Sequence, residues 1–424
     1  MMNQLTIAVH TAPPLRDNLT TQLRFHFPEI TALEFTDDEV TIHAEQELAT
    51  ATVERTVRRI LDRFASVPPA IRSKVLLDSR VAGSMEAWGS RRPTFPVAKL
   101  ADAARAFSEE LRGAVPPPRR RVLPDRSAPL HAGINVYGHE TAALLAALDR
   151  LTSSCIRGVY EAEVIHVPSL IPSSLVERAG YVDTGCQHLS FVAPLSTDPD
   201  VFDAFVPFWK SDGRDDRSIL DYVRTPRDLL SPAACLSTYP LLEGQTVASD
   251  EALVLSVGGS VFRDESGNLN NRERLLEFHT QEMVVIGGAD PLARIHAELA
   301  DLLVCVATVL GLDFSLQSAA DIFFGDAAGS LLFNQLASTN KIELAVRSAS
   351  VGRPVATASL NKHGSHFAKA FDITDERGLP TSTMCLGFGL DRLAYLLFER
   401  FGLDLSALGD QVDANVEALL KERA

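Results

Sequence analysis

Apolar positions in the first 115 residues repeat at strand spacing and then at helix spacing. LTIAVH (Leu5–His10) reads as a strand, LRDNLTTQLRFHF (Leu15–Phe27) as a helix and EVTIHA (Glu39–Ala44) as a second strand. Between Leu48 and Phe64, the residues Val53, Val57, Ile60, Leu61 and Phe64 recur one helical turn apart. A small α+β unit is expected over residues 1–115. Ala114–Pro129 (AVPPPRRRVLPDRSAP) holds five prolines and four arginines, too few amide donors and apolar anchors for a core element. Residues 116–130 are therefore expected to be a linker. Beyond Gly133 the pattern predicts a helix from His139 to Leu151 and a strand at Val164–Pro168. A short helix through Arg178 follows, capped by Ser173 or Ser174 and stopped at Gly180. LVLSVGGSVFRDE and LLEFHTQEMVVIG read as two strands of a hairpin joined by the polar stretch Ser266–Arg274. A buried helix is expected at Asp301–Leu312, strands at Lys341–Val346 and Val355–Leu360, and a glycine turn entering a helix in GFGLDRLAYLLFERFG. Strands joined by hairpins imply an antiparallel sheet flanked by helices, an α+β body over residues 131–424.

The 424-residue length fits at least two domains. The longest apolar run, Leu302–Leu312, is far short of the roughly 18 residues a spanning helix needs. The start, MMNQLTIAVH, does not read as a secretory signal. Five scattered cysteines argue for reduced thiols and a cytoplasmic protein. The net charge of -15 is uneven: residues 1–130 carry 18 basic and 16 acidic side chains, the rest 22 and 39. Residues 51–126 are Arg-rich, so Arg58, Arg59, Arg63 and Arg119–Arg121 are candidates for docking an acidic partner. For Arg119–Arg121 a solvated linker is the simpler reading.

Two constellations can carry chemistry. Arg263 and Glu265 are two apart on the first hairpin strand, and Phe278, Thr280 and Glu282 share a face of the return strand. A guanidinium fork, a stacking surface and carboxylate acceptors suit a nucleotide. On spacing alone a solvated strand face with a core phenylalanine fits as well. Gly387 and Gly389 allow close backbone approach, and Arg392 falls in the first turn of the helix that follows, near its free amides.

The ordered set F-R-D-E, loop, R-L-L-E-F-x-x-x-E and G-F-G-L-D-R resembles motifs 2 and 3 of class II aminoacyl-tRNA synthetases, and HVPSLIPSSLVERAGYVDTG resembles their dimer-forming motif 1. Within that superfamily PAACLSTYP, SLNKHGSHFAKAF and MCLGFGLDR are similar to the atypical zinc-dependent seryl-tRNA synthetases and the related amino acid:[carrier protein] ligases. The resemblance covers residues 131–424. It implies an ATP-dependent ligase, a homodimer, that makes an aminoacyl-adenylate from a small amino acid and passes it to the phosphopantetheine thiol of a carrier protein. Charging of tRNA, or a catalytically silent regulatory role, are the alternatives. The resemblance further implies that Arg263 holds the α-phosphate of ATP and Glu265 the adenine amine, while Phe278 stacks on adenine. Arg274 and Leu275 would close the loop over the nucleotide, and Arg392 would bind the γ-phosphate. Cys235, Glu282 and Cys385 fall at zinc-ligand positions, and Glu282, Ser359 and Asn361 at amino-acid-binding positions. Cys155, Cys186 and Cys305 have no such role. Mg²⁺ is implied too, but its acidic ligand, expected shortly before Ser359, is replaced by Val355 or Ala356. Compact members of the ligase group also lack a unit like residues 1–115.

Overall fold

The computed structural model describes residues 3–68, 70–89, 95–114, 128–211 and 216–423. The expected linker and Arg119–Arg121 lie almost wholly outside the described residues.

The chain opens with β1 (Asn3–Ala8), α1 (Pro13–His26), β2 (Ile30–Phe35), β3 (Glu39–Ala44) and α2 (Thr50–Arg63). The three strands form one antiparallel sheet in the order β1-β3-β2. In α2 the apolar positions Val53, Val57 and Ile60 are the buried face, as their spacing predicts. The edge strand β2 has no signature in the pattern, because only Ile30 of ITALEF is buried and no alternation is visible. This unit does not close on itself. Its core continues into Phe323, Ala328, Leu332 and Leu336, which belong to and precede a helix of the larger body.

The expected boundary at residue 115 does not follow the packing. After α2 the chain forms β4 (Val75–Asp78), α3 (Ser84–Gly89) and α4 (Val97–Gly113), and Leu77, Trp88, Phe95, Leu100, Phe107 and Leu111 all enter the largest core cluster. Each such side chain contributes about 1.5–3 kcal/mol by leaving water. The buried Asp301 fixes the arrangement. Its carboxylate accepts from Trp88 Nε1 at 3.1 Å, Phe95 N at 2.9 Å and Arg423 Nη2 at 2.9 Å. Only the part up to about α2 stands apart as a separate small sheet.

The body begins with the hairpin β5 (Ala128–His131) and β6 (Ile134–Val136), then α5 (His139–Tyr160) and β7 (Glu163–His166). Next come β8 (Leu170–Pro172), α6 (Ser173–Arg178), α7 (Tyr181–Gly185), β9 (Phe191–Val192), α8 (Pro199–Lys210) and β10 (Asp228–Leu230), with β8, β10 and β9 forming a second small sheet. Gly180 stops α6 in the left-handed conformation at φ 66°. Ser173 and Ser174 lie inside α6 rather than capping it; Pro172 precedes the helix and no side chain bonds its first amides.

The remainder is β11 (Ala252–Phe262), β12 (Glu277–Gly287), α9 (Ala289–Val309), β13 (Phe314–Ser318), α10 (Ala328–Ser338), β14 (Lys341–Arg347), β15 (Pro354–Gly364), α11 (His366–Ala370), β16 (Ser382–Gly389), α12 (Leu390–Phe401) and α13 (Leu405–Arg423). Eight strands assemble in the order β4-β13-β14-β15-β16-β12-β11-β7. Only the β11–β7 pair is parallel. The fold is thus the expected α+β architecture with a mostly antiparallel sheet. No helix among the described residues is long and apolar enough to cross a membrane.

Candidate active site

Sheet register assembles the site. Glu282 lies opposite Gly387, Gly387 opposite Ser359, Ser359 opposite Glu343 and Glu343 opposite Gln317. Residues in register share a face, so these five form one row across five strands. The next row holds Cys385, Asn361 and Lys341. On the other side of the first row stand Thr280 with Gly389, and beyond them Phe278. A Cβ on Gly387 or Gly389 would meet nothing nearer than 3.5 Å. Their smallness therefore keeps space above the sheet rather than admitting another backbone.

The expected nucleotide residues converge at one end of this face. Arg263 and Glu265 lie just beyond β11, not on it as the pattern suggested: Arg263 N still donates to Leu276 O at 2.8 Å, but Glu265 begins a helical turn at Ser266–Asn268. Arg263 Nε donates to Pro232 O at 2.9 Å, and its Cζ stands 5.6 Å from the centroid of the Phe278 ring. Arg274 Nη1 donates to Glu265 Oε2. Burial works to raise the Glu265 carboxyl, but Arg274, Arg392 and His188 prevail and hold it below the ordinary range. Leu275 is buried behind the loop. Arg392 occupies the first turn of α12, where Nε donates to Glu273 O at 2.6 Å and Nη1 to Ala356 O at 3.1 Å. Burial and the neighbouring Arg274 lower its pKa.

Cys235, Glu282 and Cys385 also come together. Cys235 sits in the helical turn Ala234–Leu242 against β11 and β12, and its N–H donates to Glu282 Oε2 at 2.9 Å. The Ala234 N–H donates to Glu282 Oε1 at 3.3 Å. The two thiols influence one another, Cys235 being pushed up and Cys385 held down, and His363 and Asn361 add to the lowering of Cys385. Burial, and then Cys385, raise the Glu282 carboxyl. His363 Nε2 stands 3.6 Å and Asn361 Nδ2 3.7 Å from Cys385 Sγ, and Asn361 Nδ2 donates to Ser359 Oγ at 3.1 Å. As the side chains stand, no three His, Cys, Asp or Glu residues among those described form a ready metal cage. Cys155 and Cys305 are buried away from this site in the main core, and Cys186 is exposed.

Several polar residues at the site escaped the sequence reading. Lys341 is buried, with Nζ against Asp321 and 3.1 Å from Glu343. Against the effect of burial, Lys341, Gln335 and Arg263 hold Asp321 down at about 2. Lys341 and Glu343 alternate within a predicted strand, but nothing in the pattern says which face is used. His188 accepts from or donates to Tyr181 OH at 3.0 Å through Nδ1. Burial, then Arg263, lowers its pKa to about 4. In the unfolded chain histidine takes a proton near pH 6.5. Stability is therefore present above the unfolded pKa and lost as pH falls from about 6.5 towards about 4. In a histidine-resolved NMR titration the His188 ring signal is expected to stay at its neutral position at pH 5.5; a midpoint near 6.5 would contradict the buried placement beside Arg263.

An eight-stranded, mostly antiparallel sheet with Phe278 on one face, bordered by Arg263 after β11 and Arg392 at the start of α12, is the architecture of the class II synthetase type. The crystal structure of M. kandleri seryl-tRNA synthetase in complex with A. aeolicus tRNASec shares this fold, with a TM-score of 0.59 over 96% of this chain and 77% of that one at 20% identity. No protein-family profile matches the chain. Amino acid–[acyl-carrier-protein] ligase 2 of Bradyrhizobium diazoefficiens is 31% identical over 273 residues, which cover 64% of this chain and 79% of the relative. Ligase 1 of the same organism is 31% identical over 246 residues, 58% of this chain and 73% of that one. The chain belongs to the amino acid–[acyl-carrier-protein] ligase family.

Proposed function

We propose that the protein activates a small amino acid with ATP and transfers it to the phosphopantetheine thiol of a carrier protein. The observation that carries this reading is the single sheet face on which Arg263, Phe278, Glu282, Ser359 and Cys385 meet. The amino acid carboxylate attacks the α-phosphorus, a C–O–P anhydride forms and pyrophosphate leaves. Arg263 neutralises the α-phosphate and Phe278 stacks on adenine, whose amine reaches Glu265. Arg274 and Leu275 close the loop over the nucleotide. In Arg392, Nε and Nη1 are held by carbonyls, which leaves Nη2 for the γ-phosphate. The acceptor thiol then attacks the acyl carbon and AMP departs. Ser359 and Asn361 floor the space beside Glu282 where the amino acid sits.

The donor set suits zinc: two thiols and a carboxylate pack in a buried place, one thiol already held low, with Glu282 one row from Cys385 on the neighbouring strand and bonded to the Cys235 amide. Zinc held by Cys235, Glu282 and Cys385 would supply an open tetrahedral position for the free amino group of the substrate. Magnesium has no such support. Val355 is buried and Ala356 bears no donor, so Mg²⁺ is assigned to the nucleotide and to no residue here. All five cysteines are free, in keeping with a cytoplasmic protein. Val164 on the edge strand β7, Leu170 and Phe191 are exposed apolar residues of the motif 1 region, which supports a homodimer through that surface.

The acceptor is tested by incubating the protein, ATP and glycine, alanine or serine with a purified holo carrier protein and, separately, with tRNA. Acylation of the carrier alone is expected. Charging of tRNA with no carrier acylation would move the protein to the synthetase reading, and failure of every small amino acid to support pyrophosphate exchange would favour a silent paralogue.

A further inference from the structure

The unit formed by residues 3–68 docks on the loop that covers the nucleotide residues. Asn268 Nδ2 donates to Thr21 O at 2.9 Å. A Cβ on Gly267 would lie 2.4 Å from Arg24 O and 2.7 Å from Pro28 Cα, so α1 and this loop meet backbone to backbone. The contact places the last turn of α1 beside the mouth of the site.

Basic side chains gather there. Arg24 is half-buried and its Nε is shielded from solvent without a hydrogen-bond partner. Burial, together with the like charge of Arg274, lowers its pKa. His26, in the same turn, has Arg59 and Arg63 of α2 as its charged neighbours; burial and these two cations lower its pKa. Phe25, His26 and Phe324 form an aromatic wall, with Phe25 and Phe324 ring centroids 5.1 Å apart. The acidic groups nearby are few. Glu265 is taken by Arg274, and Asp326, fully exposed, stands 3.8 Å from Arg63. Among the described residues no carboxylate pairs with Arg24 or Arg59. Clustered guanidinia, one of them partly desolvated and unpaired, are costly unless an anion completes them.

We propose that Arg24, with Arg59 and Arg63, forms an anion-binding rim that receives the phosphodiester of the acceptor's phosphopantetheine arm at the mouth of the active site. This rests on the ligase reading above and extends it to the N-terminal unit. The position suits the arm. Its thiol must enter to the acyl group while its phosphate stays outside, where α1 borders the loop carrying Arg274. Guanidinium forks suit phosphate oxygens, and a basic island on a chain of net charge -15 steers an acidic carrier to this face rather than elsewhere. ATP also carries phosphates, so the two sources need separating.

The probes are 4′-phosphopantetheine, pantetheine and ATP, each titrated calorimetrically against the full chain at low salt. The phosphorylated arm is expected to bind about tenfold tighter than pantetheine, a charge-assisted contact. In Arg24→Ser, and more so in Arg24→Ser with Arg59→Ser, that preference is expected to vanish, while Arg24→Lys keeps part of it. Unfolding midpoints of the variants show whether they are folded. Equal binding of both arms by the native protein overturns the rim, as does an equal loss of ATP affinity in Arg24→Ser. Amino-acid-dependent pyrophosphate exchange by the native protein is measured alongside. Its absence sinks the ligase reading, and the arm preference still decides the rim.

Discussion

Replacing Arg263 by Lys is expected to lower amino-acid-dependent pyrophosphate exchange by about a thousandfold, the scale of losing one preorganised donor to a developing charge. Lysine keeps the positive charge but not the fork. At Arg263 one nitrogen is committed to Pro232 O, and the planar guanidinium still presents a bidentate fork to the α-phosphate, which the single ammonium of lysine does not. The substitution also keeps a cation among Tyr181, Glu265, Asp321 and Glu282, the groups that outweigh burial and stabilise the charge of Arg263. The fold should therefore survive, as a circular dichroism melt would show. Exchange within tenfold of the native rate would mean that the phosphate is held elsewhere.

The second large effect concerns the thiol pair. Purified protein is expected to contain about one zinc per chain, and Cys235→Ala to contain less than about a tenth of that, because three ligands are the minimum for a catalytic site of this type. Elemental analysis after gel filtration reads the result directly. Loss of activation should follow, since the amino group of the substrate loses its anchor. Zinc retained at full occupancy in Cys235→Ala would show that the metal, if present, is bound by other residues.

The parts of this fold that were legible in the sequence are those whose signals are local. The β11–β12 hairpin announced itself because two alternating runs flank a polar loop, and α2 because its stripe has helical spacing. By contrast, Cys235, Glu282 and Cys385 are separated by long stretches of chain. No periodicity links them; they meet because β12, β15 and β16 are neighbours in the sheet and a helical turn lies across β11 and β12. That grouping is implied by resemblance alone; register brings Glu282 and Cys385 onto neighbouring strands, and Cys235 approaches from outside the sheet. Lys341, Glu343 and Asp321 had no resemblance to lean on and were missed. The boundary expected at residue 115 and the packing differ for a related reason. A proline- and arginine-rich stretch is a strong signal, but it says nothing about whether the elements before it pair with strands made much later.

That late pairing also governs how the chain can reach its native state. β4 hydrogen-bonds to β13, and α4 packs beside α13, the last helix described. Loop closure over such separations is slow and must be completed before these contacts stabilise anything. During synthesis α4 leaves the ribosome with the face that packs on α13 uncovered. The protein therefore finishes folding only once α13 has emerged, and the interval in between is when its apolar surface is most open to aggregation or to chaperones.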